Sequence, residues 1–389
     1  MSTVMVSCKR ILWVDHDRFD LKPGKCPWLE ISEILIKQGH DVSILSGYGT
    51  SKYYPKGYKV NMIYFRALDL SGVFRISLLL NILCWLLWNT AKEDVIILQP
   101  KGLVIAPFLR LFGKKNIHLD IRTVPVNIDS LRDHIDRWLF WKIPLRFFRN
   151  LARGNSFITD RLRLAVEKEF NVRFNDYVLW QSGVNTRRFQ PSEQATFKKD
   201  PDEFVLFYHG SISEKRGIGR VVEAIAELDE RYRKHISFVV VGAGPGLAGL
   251  KELAERNGVS DRIVFRGLLP HEDIPGEIWR ADCCVCPLPD RPEWNVSSPI
   301  KVFEYMACGK PMILTPIPAH MDILKDEDFT VWTRGETVGD FRRAIEYAYD
   351  HRASLEKSST RASELARQNY DWAVQGRKFA DYLSRRFSV

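Results

Sequence analysis

The fold is decided by a segment that reads FVLFYHGSISEKRGIGRVVEAIAELDERYRKHISFVVV, residues 204–241. Its two ends, Phe204–Tyr208 and Ile236–Val241, are short apolar runs of the kind that form buried strands. Between them, Gly219–Leu228 repeats apolar residues at the spacing of one helix face. A strand, a helix and a second strand in this order predict a βαβ unit with parallel strands.

The same alternation of short strands and helices extends through the rest of the chain. Further strands are predicted at residues 11–14, 41–45, 60–66, 94–98, 116–119, 156–159, 178–180, 262–265, 283–288, 312–315 and 329–332, and helices at 27–38, 74–89 and 247–257. The polar stretch Gln190–Asp202 is typical of a linker. We therefore expect an α/β protein with two doubly wound units of about equal size, residues 1–189 and 203–370.

Composition and charge indicate a globular protein with a basic first half. The 389 residues are 45% hydrophobic and 27% charged, and the net charge is +9. Residues 1–185 carry a net charge of +10 and the remainder carries −1, so the whole basic excess lies in the first half. Such asymmetry indicates an anionic partner of this half, either nucleic acid or an acidic membrane surface.

Targeting signals and cysteines favour a cytoplasmic location. The N-terminus shows no cleavage-like signal site, and the longest apolar run, Ile76–Trp88, is about 13 residues against the roughly 20 that span a bilayer. The only CxxC spacing, Cys283 to Cys286, has no second pair to complete a zinc site. Reduced, buried thiols are therefore the default, and a redox pair is the alternative.

A candidate anion site lies at residues 297–311, which read SSPIKVFEYMACGKP. Ser298 is predicted to cap a helix and Pro299 to be its first residue, which leaves free amide groups at the helix start. Lys301 in the first turn and Glu304 one turn later add a cation and a carboxylate. The set predicts a site for a nucleotide or nucleotide-sugar, and an ordinary helix followed by a Gly-Pro turn is the alternative.

A second candidate site is the loop at residues 208–217, which read YHGSISEKRG. Gly210 lets the backbone approach a ligand, and the adjacent cations Lys215 and Arg216 can neutralise the charge of a diphosphate. Two solvated surface cations are the alternative.

Together, these two segments resemble the donor-site motifs of retaining glycosyltransferases of family 4, which have the GT-B fold. The resemblance rests on Glu304, followed by Ala307, Gly309 and Pro311, and on Arg216 directly before a glycine. It implies two Rossmann-like domains that face each other across a cleft, with Glu304 on the ribose of the donor. The donor-binding residues that we expect are Gly24, Gly210, Ser211, Lys215, Arg216, Leu268, Leu269, Glu293, Ser298, Pro299, Lys301 and Glu304. The resemblance implies that the loop with Leu268 and Leu269 offers backbone groups to the base, and Glu293 is a candidate for contacting the donor sugar.

The resemblance also implies the reaction. We expect a sugar to move from a nucleotide-sugar to an acceptor hydroxyl with retention of configuration, without a metal or another cofactor, in polysaccharide or glycolipid synthesis of the bacterial type. The first domain would bind the acceptor, and the last helix, about residues 371–389, would pack back onto it.

The predicted catalytic residues are Asp120, Arg122 and Arg216. Asp120 and Arg122 follow a predicted strand, near the point where family members face the transferred sugar. A carboxylate there could accept a proton or stabilise positive charge, and a helix-capping Asp with a paired Arg is the alternative.

The chain departs from the family pattern at two positions. Ser211 stands where many members have an arginine, and Val296 stands where many have a second glutamate. The identity of the transferred sugar is therefore not predicted.

Two other functions are compatible with parts of the sequence. Gly244, Gly246 and Gly249 have the spacing of a dinucleotide fingerprint after a strand, which would suit a flavin- or nicotinamide-dependent oxidoreductase. However, Arg266 rather than an acid ends the next strand, and the same turn resembles a structural one of the transferase family. A non-catalytic GT-B protein that binds sugar nucleotides is the other alternative.

A cationic segment in the first half suggests where the acceptor is met. Lys142, Arg146, Arg149 and Arg153 are spaced to share one face of a helix, with aromatic residues between them, although Pro144 would start or kink that helix. Such a face suits an anionic membrane interface and a lipid-linked sugar acceptor. A solvated face is the alternative. We expect no nucleic-acid partner, because no nucleic-acid module is recognised.

Overall fold

The strands form two parallel sheets, one in each half of the chain. This computed structural model describes residues 9–19, 26–48, 52, 54–55, 57–70, 73–125, 130–191 and 202–387. The chain divides into two units, one made of Met1–Gln181 with Trp372–Val389 and the other of Ser182–Asp371.

The first unit is built on seven parallel strands. They are β1 (Arg10–Arg18), β2 (Asp41–Gly47), β3 (Asn61–Phe65), β4 (Val95–Leu98), β5 (Ile117–Ile121), β6 (Gly154–Phe157) and β7 (Val178–Leu179). Their order in the sheet is β3-β2-β1-β4-β5-β6-β7. The order reverses direction between β1 and β4, as it does in doubly wound folds.

The helices of the first unit cover this sheet. They are α1 (Cys26–Lys37), α2 (Phe74–Asn89), α3 (Ala106–Leu111), α4 (Leu131–Arg137) and α5 (Asp160–Phe170). The C-terminal helix of the chain, Trp372–Phe387, also belongs to this unit. Its side chains Phe379 and Leu383 are buried against Trp13 of β1, and the ring centroids of Trp13 and Phe379 are 5.9 Å apart. Aromatic burial of this kind fixes the helix to the sheet.

The second unit has six parallel strands. They are β8 (Phe204–His209), β9 (Ile236–Val241), β10 (Ile263–Gly267), β11 (Cys283–Cys286), β12 (Met312–Leu314) and β13 (Thr330–Trp332). Strand β8 pairs with β9 from Phe204 opposite Ile236 to His209 opposite Val241. This pairing confirms the βαβ unit predicted from residues 204–241.

The sheet order of the second unit is β10-β9-β8-β11-β12-β13. The order reverses between β8 and β11, and ligands of such sheets bind beyond the carboxyl ends of the strands at the reversal. The helices of this unit are α6 (Ile218–Ala226), α7 (Glu230–Arg233), α8 (Leu247–Arg256), α9 (Ile274–Arg280), α10 (Pro292–Asn295), α11 (Ile300–Ala307), α12 (Pro318–Leu324), α13 (Val338–Asp350) and α14 (Arg352–Leu365). The C-terminal helix Trp372–Phe387, which belongs to the first unit, is α15.

The structure bears on two features of the sequence, the cysteine cluster and the long apolar run. Cys283, Cys284 and Cys286 are free thiols inside β11, where burial raises the pKa of Cys283 to about 12. Within the described residues, no helix combines the length and the apolar character that crossing a membrane requires.

Candidate functional site

The candidate site lies where the strand order of the second sheet reverses. The loop after β8 runs from Gly210 to Gly217, and it touches the segment that follows β11. A Cβ atom placed on Gly217 would lie 2.0 Å from the carbonyl oxygen of Pro287, so only glycine allows this approach. The fold thus brings the predicted diphosphate loop to the edge of the sheet at which ligands bind.

The start of α11 differs from the sequence prediction. The helix begins at Ile300, Pro299 is the residue before it, and no side chain caps the first turn. Ser298 is not the cap, because its Oγ accepts a hydrogen bond of 3.2 Å from the backbone N–H of Ser182. The predicted capping roles of Ser298 and Pro299 are therefore wrong, and Pro299, the residue before the helix, makes no side-chain cap to the first turn.

Lys301 is a buried cation in this first turn. The residue is 8% exposed, and its Nζ has no hydrogen-bond partner among the described residues. The Nζ atom lies 3.9 Å from the ring centroid of Tyr208. A Cβ atom on Gly210, whose φ is +126°, would lie 3.1 Å from the same Nζ. Buried ammonium groups are costly unless they are paired, so this setting favours an anionic ligand.

Glu304 is a buried carboxylate one turn further along α11. The residue is 2% exposed. His209 Nε2 lies 3.0 Å from Oε2, and His271 Nε2 lies 2.7 Å from Oε1. Burial alone would raise the pKa of Glu304, but the two imidazoles outweigh it and hold the pKa well below the usual range. The carboxylate is therefore ionised at neutral pH.

Arg216 is the second cation of the site. Its guanidinium carbon lies 4.7 Å from the ring centroid of Trp294, a cation–π distance. The indole Nε1 of Trp294 donates a hydrogen bond of 3.0 Å to the backbone carbonyl of Lys215. The predicted sugar contact Glu293 precedes Trp294 in α10. The stacked ring holds the diphosphate loop and α10 together.

The two cations Lys301 and Arg216 both lie near Cys286. Burial raises the pKa of its thiol, and Lys301 and Arg216 act against that rise. Cys286 ends β11, so both cations lie near the reversal of the strand order. Ser211 is exposed beside them, and Gly24 lies outside the described residues.

The loop after β10 also reaches the site. It carries Leu268, which is exposed, and Leu269, which packs against the core of the unit. His271 in the same loop contacts Glu304. The predicted contacts to the base therefore stand on the segment that also supplies an imidazole to the site.

The dinucleotide-like glycines have a different role. A Cβ atom on Gly244 would lie 2.2 Å from the carbonyl oxygen of Ile212, and one on Gly246 would lie 2.9 Å from Cα of Ser213, whereas one on Gly249 would meet no atom within 4 Å. The backbone of the diphosphate loop fills the space beside Gly244 and Gly246. These two glycines are needed for backbone packing, and this setting does not favour the oxidoreductase alternative.

Asp120 and Arg122 lie in the first unit, at the end of β5. Asp120 is completely buried, and its Oδ1 accepts a hydrogen bond of 2.6 Å from Ser156 Oγ. Burial raises the pKa of Asp120 to about 6 although Arg122 acts to lower it. Arg122 donates a 2.6 Å hydrogen bond to the backbone carbonyl of Trp180 and stacks 3.4 Å from its ring centroid. The catalytic role of this pair stays a prediction.

The four cations predicted for the membrane face do not share one regular helix. Two π-helical stretches, Trp138–Lys142 and Pro144–Phe148, precede a short 3-10 turn that ends at Leu151. Arg153 lies beyond that turn and donates a 2.7 Å hydrogen bond to Asn116 Oδ1. The common helical face is therefore wrong for Arg153.

The other cations of this segment lie on the helical turns. Arg146 donates a 2.7 Å hydrogen bond to the carbonyl of Asn171, and Arg149 donates one of 3.1 Å to the carbonyl of Arg146. Lys142 and Arg146 line a groove with the aromatic side chains Trp138 and Phe147. Their role in membrane or acceptor contact stays a prediction.

Sequence reasoning missed the two histidines of the site. His209 ends β8 inside a segment that had been singled out, and His271 follows the predicted base-binding loop. Neither histidine has a spacing that marks it, because each meets Glu304 only through the fold. Among the described residues, no group of three or more side chains could hold a metal ion.

Comparison with known proteins places this geometry in context. Residues 189–368 match the sequence profile of a family described as glycosyl transferases group 1. The alpha-D-kanosaminyltransferase of Streptomyces kanamyceticus is 28% identical over 184 residues, which are 46% of this chain and 45% of the relative. The chain spans about half the length of the curated relatives that it matches, or less. The similarity to glycosyl transferases of group 1 thus covers the second unit of the chain.

Solved structures resemble the chain over almost its whole length. Sucrose-phosphate synthase of Thermosynechococcus elongatus has a TM-score of 0.77 at 16% identity and covers 98% of this chain, with 99% of its own length matched. Anabaena HepE, in complex with UDP and glucose, has a TM-score of 0.75 at 16% identity and covers 97% of this chain, with 100% of its own length matched. The likeness confirms the expected fold class, GT-B with two Rossmann-like units.

Proposed function

We propose that the protein transfers a glycosyl group from a nucleotide-sugar to an acceptor hydroxyl with retention of configuration. The observation that carries the proposal is the buried ammonium of Lys301 at the start of α11, beside Gly210, which has no hydrogen-bond partner in the part of the chain that the structure describes. A diphosphate would supply the charge that this cation lacks, and the uncapped amide groups of the first turn would bind its oxygens.

Each side of the site suits one part of the donor. Lys301 and Arg216, with Lys215, would stabilise the leaving diphosphate, so we expect no cofactor to be needed for its charge. Glu304 is held ionised and would accept hydrogen bonds from the ribose hydroxyls. Leu268 and Leu269 lie on the loop proposed for the base, and Glu293 lies on α10 near the proposed sugar position. The UDP and glucose of HepE support a donor of this class.

Thermal shift with a panel of nucleotide-sugars tests this proposal. A ligand that binds only the folded protein raises its melting temperature by mass action, so one member of the panel should stand out. Glu304→Ala should remove that shift and raise the donor KM about 100-fold, because it removes hydrogen bonds to a charged acceptor. Lys357→Met, an exposed change on α14, is the matched control and should keep the shift. Unchanged donor kinetics in Glu304→Ala would contradict the ribose role.

We also propose that the first unit meets an anionic membrane and takes a lipid-linked sugar acceptor there, in polysaccharide or glycolipid synthesis of the bacterial type. Large exposed apolar side chains support this placement. Trp88 of α2 is 88% exposed, and Leu111, Trp138 and Phe147 are also exposed in this unit. Aromatic side chains beside cations such as Lys142 suit the interface of an anionic bilayer.

Vesicle flotation tests this placement. The wild type should float with anionic vesicles and not with zwitterionic ones, and loss of four cations from the first unit should abolish flotation. The test variant replaces Lys142, Arg146, Arg149 and Arg153 by Ala, and the control variant replaces the exposed Arg220, Arg256, Lys325 and Lys357 of the second unit by Ala. Equal flotation of both variants would contradict the proposed surface, whereas the donor panel would be unaffected.

A further inference from the structure

His271 covers the carboxylate that the proposed function assigns to the ribose. Its Nε2 lies 2.7 Å from Glu304 Oε1, and His209 approaches the other oxygen to 3.0 Å. The Glu304 side chain is only 3% exposed. A hydroxyl group of a ligand therefore needs one imidazole to move before it can reach either oxygen.

The two histidines differ in how firmly the fold holds them. His209 is the last residue of β8, and its side chain is 11% exposed with the ring of Tyr305 packed 5.4 Å from its own. The ring of His271 also has an aromatic neighbour, Phe189 at 5.2 Å, but His271 lies in the loop between β10 and α9 and its side chain is 42% exposed. Since a loop residue at the surface moves more easily than one in a central strand, His271 is the imidazole that can leave.

A hydrogen-bond chain sets the tautomer of the neutral His271 ring. Arg188 Nη1 lies 3.3 Å from Nδ1 of His271. A guanidinium can only donate, so Nδ1 accepts and the ring proton sits on Nε2. His271 therefore donates this proton to Glu304 Oε1, just as a ribose hydroxyl would.

We propose that His271 is a movable cover of Glu304, and that a ribose hydroxyl of the donor replaces its Nε2–H when the donor binds. The inference rests on the proposed function, because it takes Glu304 as the ribose acceptor. His271 is then a positioning residue: it keeps the carboxylate oriented and ionised in the free protein, and its displacement lowers the apparent affinity for the donor.

Calorimetry with nucleoside diphosphates tests the cover. The probes are UDP, GDP and ADP, and the one that binds the wild type is then compared with its 2′,3′-dideoxy analogue. His271→Ala should bind the ribose form about tenfold more tightly than the wild type, the scale of one hydrogen bond to a charged group. Its affinity for the dideoxy analogue should match that of the wild type, because that analogue has no hydroxyl to replace the imidazole.

Two further variants complete the experiment. His271→Gln keeps an N–H donor near the position of Nε2 and should bind the ribose form within about twofold of the wild type. His351→Ala removes an exposed histidine of the same unit and should change neither affinity. Equal or weaker binding of the ribose form by His271→Ala would overturn the cover and leave the proposed function standing. Absence of binding by the wild type and by every variant would overturn both.

Discussion

The end of β5 and the start of α11 both bury charged side chains, but they do so in different ways. At β5, the buried Asp120 lies near the half-buried Arg122, and the two opposite charges act on each other. At α11, Glu304 is matched by two histidines, whereas Lys301 has no hydrogen-bond partner among the described residues.

We propose that the difference separates charges that serve the fold from charges that serve a ligand, an alternative to the predicted catalytic role of Asp120 and Arg122. A buried pair lowers the net cost of removing each charge from water, and loss of one member leaves the other uncompensated. A buried cation without a partner carries that cost in the free protein. Binding of an anion offsets the cost. We therefore expect substitutions at the two places to have opposite effects on stability and on activity.

Lys301→Met should give the largest loss of activity. It removes the buried charge proposed to stabilise the leaving diphosphate, so kcat/KM should fall about 1,000-fold. The melting temperature should stay the same or rise, because an apolar side chain replaces an unpaired buried cation. Kinetics with the donor found by the panel, together with a thermal melt, measure both effects. A lower melting temperature with unchanged kcat/KM would place Lys301 with the structural charges instead.

Arg122→Met should give the largest loss of stability. It leaves Asp120 buried without its cation and removes the hydrogen bond to the carbonyl of Trp180. We expect the free energy of unfolding to fall by about 3 kcal/mol at pH 7.5. The loss should shrink at pH 5, where Asp120, whose pKa burial raises to about 6, is mostly protonated.

Denaturant unfolding at the two pH values measures this effect. Arg256→Met, an exposed change in the second unit, provides the control. An equal loss of unfolding free energy at both pH values would contradict a dependence of that loss on the charge of Asp120.

Arg216→Ala should lower kcat about 100-fold, the scale of one lost transition-state charge stabiliser. Trp294→Leu should have a smaller effect of the same sign, because it removes the ring on which the guanidinium stacks at 4.7 Å and the indole hydrogen bond to Lys215 but leaves the cation in place. Steady-state kinetics of both variants and of the control Arg220→Ala measure the order. An effect of Arg216→Ala below about threefold would argue against its role on the diphosphate.

The sequence predicts the two sheets and the charged residues of the site better than it predicts the contacts between those residues. Short apolar strands separated by helices predicted both sheets, because local periodicity and the parallel-strand pattern are encoded within each segment. Lys301, Arg216 and Glu304 could be singled out because each stands in a recognisable loop or helix start. The cover of Glu304 could not be predicted, since Arg188, His271 and Glu304 are far apart in the sequence and meet only through the fold.

The capping prediction failed for a related reason. Ser298 before a proline is a typical helix start, but tertiary structure offers its hydroxyl the backbone N–H of Ser182 instead. Likewise, the spacing of Lys142, Arg146, Arg149 and Arg153 assumed 3.6 residues per turn, whereas the segment contains π-helical and 3-10 turns. A prediction from local sequence fails where a polar group forms a hydrogen bond with a residue that is distant in the sequence.

Asp120→Asn should have the smallest effect, and its pH dependence distinguishes a structural from a catalytic carboxylate. Burial raises the pKa of Asp120 to about 6 from its usual 3.8, so the folded protein holds the proton more tightly than the unfolded chain. That contribution to stability is present below pH 4 and is lost as the pH rises through 6. The variant lacks this loss, so its free energy of unfolding relative to the wild type should rise by about 2 kcal/mol between pH 4 and pH 7.

If the free energies of unfolding of the wild type and of Asp120→Asn changed with pH in the same way, the raised pKa of Asp120 would be contradicted. Turnover supplies the second half of the test, because an amide can accept a hydrogen bond but cannot take up a proton at neutral pH. If Asp120 acts only within the fold, kcat of Asp120→Asn should stay within about threefold of the wild type. A fall of about 100-fold or more is the scale of a lost general base, and it would move Asp120 from the structural charges at β5 to the catalytic ones.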